Sequence, residues 1–187
     1  RMKKLNSVLM INLILIFVLL LSITISGLSE DKVINWRLQS MCAAGDFGFE
    51  GAKRFAEQVT EASGGRLVVK AFTAGAIIPA GKEFDGAISG SVEAAHVSGG
   101  WAVGYVPAGV FYTNWVGGHT GNQLMMWMEY EGKALARELY NPIGLFFVDQ
   151  LTVHPAEVWC HSTKPLRSVE DIKGLKIRMG TTALNTI

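Results

Sequence analysis

A strand, a helix and a second strand follow one another between residues 33 and 72, and this order constrains the fold more than any other feature. Residues 33–40 and 67–72 both have the β-branched and aromatic bias of strands. Between them, apolar residues recur from Phe49 to Val59 at helical spacing, and Ser63-Gly64-Gly65 ends the helix. Because strands joined through a helix pair in parallel, the sequence predicts an α/β sheet.

Further elements are predicted along the rest of the chain. Helices are expected at residues 83–90 and 122–140, and strands at residues 92–97, 143–148 and 157–161. Residues 98–121 are rich in glycine and aromatic side chains and are expected to be irregular. Loops of that length without regular structure are usually either functional or wrongly assigned.

An N-terminal leader is predicted at residues 1–29. Arg1, Lys3 and Lys4 precede an apolar run at residues 8–25, and small residues follow it. This order is typical of a secretory signal peptide. The apolar run is also about long enough to span a bilayer, so an uncleaved membrane anchor is the alternative. Both interpretations predict that the rest of the chain is exported.

The charge balance argues against a nucleic-acid-binding protein. The leader carries three of the 17 Lys and Arg and none of the 16 Asp and Glu, so residues 30–187 have a net charge of −2. A nucleic-acid-binding surface needs a basic patch, which this composition does not predict.

The two cysteines, Cys42 and Cys160, form no CxxC motif and no Cys/His metal-binding spacing. Export permits a disulfide between them, but the sequence does not show that their Cα atoms lie within bridging range. Their redox state therefore stays open.

The segment from Ser168 to Arg178 contains the first candidate for function. Ser168 is expected to cap a short helical turn, and Gly174 suits the left-handed residue that ends such a turn. Arg178 then lies at the end of a strand predicted at residues 175–178. Its planar donor fork fits a carboxylate through two hydrogen bonds. A surface or salt-bridged arginine would show the same local pattern.

Glu157 and Trp101 are the further site candidates. If residues 157–161 and 175–178 pair as strands, Glu157 meets Arg178, either as a structural ion pair or as a group that orients Arg178 or helps to bind a cation. Trp101 follows the strand predicted at residues 92–97, where α/β folds place ligand contacts. The remaining tryptophans considered, Trp115, Trp127 and Trp159, are expected to be core residues.

Motifs for catalysis and for metal binding are weak throughout. The four histidines form no HxxxH or HExxH pattern, the glycine-rich run at residues 117–121 lacks the lysine and spacing of a phosphate loop, and there is no GxSxG motif. The residues alone thus give little support for an enzyme or for a histidine metal site.

Five motifs carry a family resemblance. In order they are Trp36-Arg37-Leu38-Gln39-Ser40, Phe55-Ala56-Glu57-Gln58-Val59, Ser63-Gly64-Gly65-Arg66-Leu67, Phe84-Asp85-Gly86-Ala87-Ile88-Ser89-Gly90 and Asp171-Ile172-Lys173-Gly174-Leu175-Lys176-Ile177-Arg178. Together, after the predicted leader, they resemble the solute-binding subunit of tripartite ATP-independent periplasmic (TRAP) transporters. The chain is most similar to the branch that binds keto acids and hydroxy acids.

The resemblance implies a periplasmic receptor with a two-lobed α/β fold of the periplasmic-binding-protein type. Such a receptor closes on a small organic acid and delivers it to membrane permease subunits. It implies that Arg178 binds the carboxylate and that Glu157 contacts the ligand or a Na⁺ or Ca²⁺ ion. Some members of the branch have an amide where this chain has Glu157, so the chain departs from their pattern at this position. The resemblance also implies a binding protein, not an enzyme, that requires no cofactor.

The resemblance also divides the chain. Residues 1–29 are the predicted signal peptide, residues 30–155 the first α/β lobe, and residues 156–187 the start of a second lobe that is truncated at its C-terminus. An exported α/β enzyme or a sensor module acting on small carboxylates remains the alternative. The sequence identifies neither the acid nor the oligomeric state. A homodimer is among the states that it allows.

Overall fold

The computed structural model describes residues 32–113, 118–153 and 162–176, together with Met10, Asn12, Leu13 and Ile16. Contacts between residues divide the chain into two units, Arg1–Val33 and Ile34–Ile187, and all elements below belong to the second. Within the described ranges, no helix is long and apolar enough to cross a bilayer. Apart from those four residues, the leader predicted at residues 1–29 lies outside the described residues, as does the lobe boundary predicted at 155/156.

Within the described residues, three parallel strands form a sheet in the order β2-β1-β3. They are β1 (Ile34–Ser40), β2 (Leu67–Phe72) and β3 (Ala94–His96). The central strand β1 pairs with β2 along nearly its whole length and with β3 only at its carboxyl end. The predicted β-α-β unit is confirmed, and β3 is shorter than the predicted strand at residues 92–97.

The first helix, α1 (Phe47–Ala62), packs its apolar face against the sheet. Asp46 caps its N-terminus by accepting a hydrogen bond from the Gly48 amide at 2.7 Å. Buried residues of helix and sheet form one core, namely Leu38, Ala52, Ala56 and Val69. Small alanines on the helix allow a close approach to the strands, and this contact fixes α1 over β1 and β2.

A second core lies among the helices that follow. These are α2 (Glu83–Ile88), α3 (Gly121–Trp127) and α4 (Lys133–Tyr140), with 3₁₀ helices at Gly99–Ala102 and Pro107–Tyr112. A π-helical segment, Met128–Gly132, joins α3 to α4. The helix predicted at residues 122–140 is therefore confirmed, while residues 98–113 are more regular than expected.

Tyr112 lies at the centre of this second core. Its hydroxyl donates a hydrogen bond to the carbonyl of Gly132 at 3.1 Å, and its ring centroid lies 5.2 Å from that of Trp127. Trp127 packs against the core, as predicted. Trp115 and Trp159 lie outside the described residues.

The strand predicted at residues 143–148 is wrong. Asn141–Ile143 form a 3₁₀ helix, and residues 145–150 have no regular secondary structure. Leu145 and Phe147 pack against the second core, whereas Phe146 is 66% exposed. The Arg137 Nε donates to the Phe147 carbonyl at 3.1 Å, so a side chain makes the hydrogen bond that the backbone of a partner strand would otherwise make. Alternating burial produced the strand-like pattern without a sheet.

The segment after Phe147 returns to α1 and makes a close contact there. A Cβ atom on Gly51 would lie 2.5 Å from Thr152 Cγ2. Real side chains do not approach that closely, so glycine at position 51 allows this packing.

The contact gives a test of the packing between α1 and the returning segment. We expect Gly51→Ala to destabilise the protein by about 1 kcal/mol, because overpacking costs about 1–3 kcal/mol and the better helix propensity of alanine returns about 1 kcal/mol. In a Thr152→Ser background, which lacks the methyl group, the same change should be neutral or stabilising. Urea unfolding of the four proteins measures this difference, and equal effects in both backgrounds would contradict the contact.

An ion pair fixes β3 to the central strand. Arg37 in β1 donates to both carboxylate oxygens of Glu93, at 2.9 and 2.6 Å, and its backbone amide donates to the same carboxylate at 2.8 Å. These hydrogen bonds, with the guanidinium charge, lower the pKa of Glu93 from 4.5 to about 2. Glu93 directly precedes β3, so the pair fixes where β3 begins.

The lowered pKa predicts how stability depends on pH. Because the folded pKa of Glu93 lies below its unfolded value, the stabilisation is complete above pH 4.5 and is lost as the pH falls towards 2. Solvent and salt screen this exposed pair, so the effect should be small and larger at low ionic strength. Urea midpoints between pH 2 and 6 should fall more steeply for the wild type than for Glu93→Gln. Parallel curves would show that the pair does not contribute.

Candidate functional site

The carboxyl ends of β1, β2 and β3 lie at one edge of the sheet. The connection from β1 runs to β2 on one side, and the connection from β2 crosses to β3 on the other. In open α/β sheets, ligands bind outside the carboxyl ends of the strands at such a change of direction. The loops after β1 and β3 therefore form the candidate binding site.

A polar cluster links these two strand ends. The hydroxyl of Ser40, the last residue of β1, lies 2.9 Å from His96 Nδ1 at the end of β3. Ser40 Oγ also accepts a hydrogen bond from the Cys42 amide at 3.1 Å, and the Met41 amide donates to the His96 carbonyl at 2.9 Å. Ser40 is fully buried, so the cluster holds the two loops in a fixed relation beneath the surface.

Cys42 packs against the N-terminus of α1 beside this cluster. A Cβ atom on Gly48 would lie 2.7 Å from the Cys42 sulfur and 3.5 Å from His96 Cε1. Burial raises the pKa of the Cys42 thiol, and the nearby Asp46 carboxylate raises it further, although the Ser40 hydroxyl acts in the opposite direction. Because a thiol is nucleophilic only as the thiolate, this environment does not favour cysteine-based catalysis.

Trp101 lies where the sequence placed it. It belongs to the 3₁₀ helix that begins two residues after β3, and the Ser98 side chain caps that helix. Its side chain is 42% exposed, and its Cζ3 atom would lie 4.0 Å from a Cβ atom on Gly81 in the loop after β2. An exposed indole at this edge can stack on or cover a ligand, and its contact with a ligand remains a prediction.

Arg178 and Glu157 lie outside the described residues, so their meeting also stays a prediction. The turn before Arg178 is described as a 3₁₀ helix, Glu170–Ile172. Gly174 has φ +77°, the left-handed conformation predicted for it. Ser168 does not cap the turn as expected. Its backbone amide and its hydroxyl both donate to Asp171 Oδ2, at 2.9 and 3.1 Å. The Arg167 amide donates to the same oxygen at 2.8 Å, and this bond, followed by those from Ser168, lowers the pKa of Asp171.

No group of three or more His, Cys, Asp or Glu side chains suited to a metal ion occurs within the part of the chain that the structure describes. His119 stacks on Trp127 at 5.9 Å between ring centroids. His154, His161 and Cys160 fall in a range that the structure does not describe.

Sequence reasoning missed the polar residues at the end of β1. Gln39 and Ser40 are both fully buried, and each bonds to residues far along the chain. A usable signal was present, since apolar and polar residues alternate along β1 until two consecutive polar residues end it, at the edge where α/β folds bind ligands. Their partners could not be read from the sequence, because they lie in other elements.

Known proteins resemble this chain in sequence. Residues 39–186 match the family described as bacterial extracellular solute-binding protein, family 7 (DctP). A monocarboxylate 2-oxoacid-binding periplasmic protein of Nostoc sp. is 30% identical over 149 residues, which are 78% of this chain and 40% of that protein. The chain thus spans less than half the length of this curated relative.

Solved structures resemble it in fold. A TRAP periplasmic solute-binding protein from Pseudoalteromonas atlantica, with bound sodium and pyruvate, matches with a TM-score of 0.56 and 28% identity over 60% of this chain and 35% of its own. A TRAP solute-binding protein from Bordetella bronchiseptica, a dimer with copurified calcium and picolinate, gives the same TM-score with 25% identity, over 60% of this chain and 34% of its own. The predicted α/β fold of this class is confirmed. The chain belongs to the bacterial extracellular solute-binding protein family 7, the family of the TRAP solute receptors.

Proposed function

We propose that the protein is the periplasmic solute receptor of a TRAP transporter. It binds a small organic acid, of the 2-oxo or 2-hydroxy class, and delivers it to membrane permease subunits. The observation that carries this proposal is the family match over residues 39–186, together with a 2-oxoacid-binding relative and a pyruvate-bound structural neighbour.

The binding mechanism follows from the cost of burying a carboxylate. An ionised carboxylate removed from water needs a charged partner that also donates hydrogen bonds. The guanidinium of Arg178 supplies both, and its planar fork orients the acid. Closure of two lobes around the acid excludes water and strengthens this contact, so ligand binding shifts the population from open to closed.

A cation is the second proposed element of the site. The Pseudoalteromonas neighbour contains sodium with pyruvate, and the Bordetella neighbour contains calcium with picolinate. A carboxylate at Glu157 would repel an anionic ligand unless a cation lay between them, and Na⁺ and Ca²⁺ both prefer oxygen ligands. We therefore propose Glu157 as a cation ligand, while no cofactor is required for the acid to bind Arg178.

Binding without turnover separates a receptor from an enzyme. The family consists of solute-binding proteins, and we propose that this member leaves its ligand unchanged. A stoichiometric calorimetric titration with full recovery of the acid supports the receptor. Conversion of the acid into a product would favour the exported enzyme instead.

Arg178 gives the first test of this site. In the full-length protein, Arg178→Ala should weaken pyruvate binding by at least about 2 kcal/mol, or roughly 30-fold, because the bound carboxylate loses its charged partner. Calorimetry measures the affinity. Arg178→Lys should bind with intermediate affinity, since it keeps the charge and loses the planar fork.

Arg167 provides the matched control. It is an exposed arginine eleven positions earlier, and Arg167→Ala changes the net charge by the same amount. This control should bind pyruvate as the wild type does. Unchanged affinity in Arg178→Ala, or an equal loss in the control, would overturn the assignment of Arg178.

Glu157 gives a second test, through its cation. Pyruvate affinity of the wild type should fall by about tenfold when Ca²⁺ is chelated and Na⁺ is replaced by a large organic cation, because the Glu157 charge is then uncompensated. Glu157→Gln should be less sensitive to the same treatment, since a neutral amide does not repel the acid. Equal cation dependence in the two proteins would contradict a role for Glu157.

A further inference from the structure

The Gln39 side chain at the carboxyl end of β1 makes four hydrogen bonds to one neighbouring segment. Its Oε1 accepts from the amides of Ile77 and Ile78, at 2.9 and 3.0 Å. Its Nε2 donates to the Ile78 carbonyl at 2.9 Å and to Glu83 Oε1 at 3.1 Å. The residue is fully buried, and both donors and both acceptor sites of the amide are thus assigned.

Glu83, the first residue of α2, depends on this amide. The Glu83 side chain is fully buried, and its Oε1 accepts from Gln39. Its other oxygen, Oε2, has no hydrogen-bond partner among the atoms that the structure describes. Because a buried carboxylate with few donors is costly, the Gln39 amide is the contact that makes Glu83 tolerable there.

These bonds fix the loop at residues 73–82, which leaves the ligand-facing edge of the sheet after β2. A second contact holds the start of this loop. The Ala74 amide donates a hydrogen bond to the carbonyl of Cys42, in the loop after β1, at 3.0 Å. The other end of the loop carries Gly81, and the exposed indole of Trp101 lies beside it, with Cζ3 4.0 Å from the place where a Cβ atom on Gly81 would be. The loop that Gln39 holds therefore runs next to Trp101.

We propose that Gln39 and Glu83 are positioning residues for acid binding. Gln39 does not contact the ligand. It holds the loop at residues 73–82 to the end of β1, so that Gly81 supports Trp101 at the edge of the cleft, and Glu83 completes this hydrogen-bonded pair. The inference rests on the proposed function, because it assumes that the acid binds at this edge.

The pairing of one donor with one acceptor determines how substitutions should behave. Gln39→Leu removes all four bonds and leaves the partly buried amides of Ile77 and Ile78 without an acceptor. Gln39→Glu can still accept from Ile77 and Ile78, but it places a second carboxylate against Glu83. Glu83→Gln keeps an acceptor for the Gln39 amide. The exchanged pair Gln39→Glu with Glu83→Gln restores one donor and one acceptor in reversed positions.

The experiment measures loop protection and acid affinity in the full-length protein. Hydrogen exchange reports the Ile77 and Ile78 amides, and calorimetry with pyruvate reports binding. Gln39→Leu should expose these two amides to exchange and weaken pyruvate binding by about tenfold, the effect of a lost buried hydrogen-bond partner. Gln39→Glu should also weaken binding, Glu83→Gln should stay close to wild type, and the exchanged pair should recover most of the affinity.

A matched control separates loop positioning from a general loss of stability. Thr60 Oγ1 accepts from the Val69 amide at 3.0 Å and lies near the C-terminal end of α1. Thr60→Val removes a bond of the same kind elsewhere in the same core. It should lower the unfolding free energy and leave both pyruvate affinity and exchange at residues 73–82 unchanged.

The outcomes are decisive in each case. Wild-type affinity in Gln39→Leu, with its loop exposed to exchange, would overturn the proposal, as would equal losses of affinity in Gln39→Leu and Thr60→Val. If Gln39→Leu does not fold, the comparison of Gln39→Glu with the double variant Gln39→Glu, Glu83→Gln decides. If the double variant binds pyruvate no better than Gln39→Glu does, the inference is overturned. A wild-type protein that binds no 2-oxo or 2-hydroxy acid removes the proposed function itself, and this inference falls with it.

Discussion

The central strand β1 is the element on which the other elements of this lobe depend. It pairs in parallel with β2 on one side and β3 on the other, and α1 packs on Leu38 and Val69 across the same sheet. In a parallel sheet the carboxyl ends of all strands lie at one edge. Because β2 and β3 both pair with β1, the loops that follow the three strands lie together at that edge. Arg37 adds a fixed starting point for β3 through its bonds to Glu93. Core packing and the candidate binding edge therefore follow from the same strand.

That edge is built on buried polar groups, which are costly unless each has a partner. Ser40 links β1 to His96, and Gln39 links β1 to the loop after β2. The two side chains are adjacent in sequence and point to opposite faces of the strand, so one strand end holds two different loops. The exposed Trp101 rests against one of these loops, which makes the edge rigid below and accessible above. Such an arrangement suits a receptor, because a preformed lobe loses little conformational entropy when its ligand binds.

Much of this lobe was predictable, since its elements carry strong local patterns. β1 and β2 were placed almost residue for residue, and the helix at residues 122–140 was found because its apolar positions repeat at helical spacing. The same reasoning failed at residues 143–148, which do not form a strand although their burial alternates as in one. The Phe147 carbonyl there accepts a hydrogen bond from the Arg137 side chain and not from a neighbouring strand. It also misjudged Ser168, whose hydroxyl donates to Asp171 instead of accepting from the turn. Of the predicted site residues, Trp101 lies at the expected edge, and the roles of Arg178 and Glu157 remain predictions from the family resemblance.

The sequence by itself determined the α/β class, the order of strands and helices, and the family of solute receptors. These follow from periodicity and from short motifs, which are local properties of the chain. Only the tertiary structure decided which side chains meet at the carboxyl edge of the sheet. Gln39 and Glu83 are 44 positions apart, and Ser40 and His96 are 56 positions apart. No local pattern encodes such contacts, because they exist only once parallel pairing has placed three strand ends side by side.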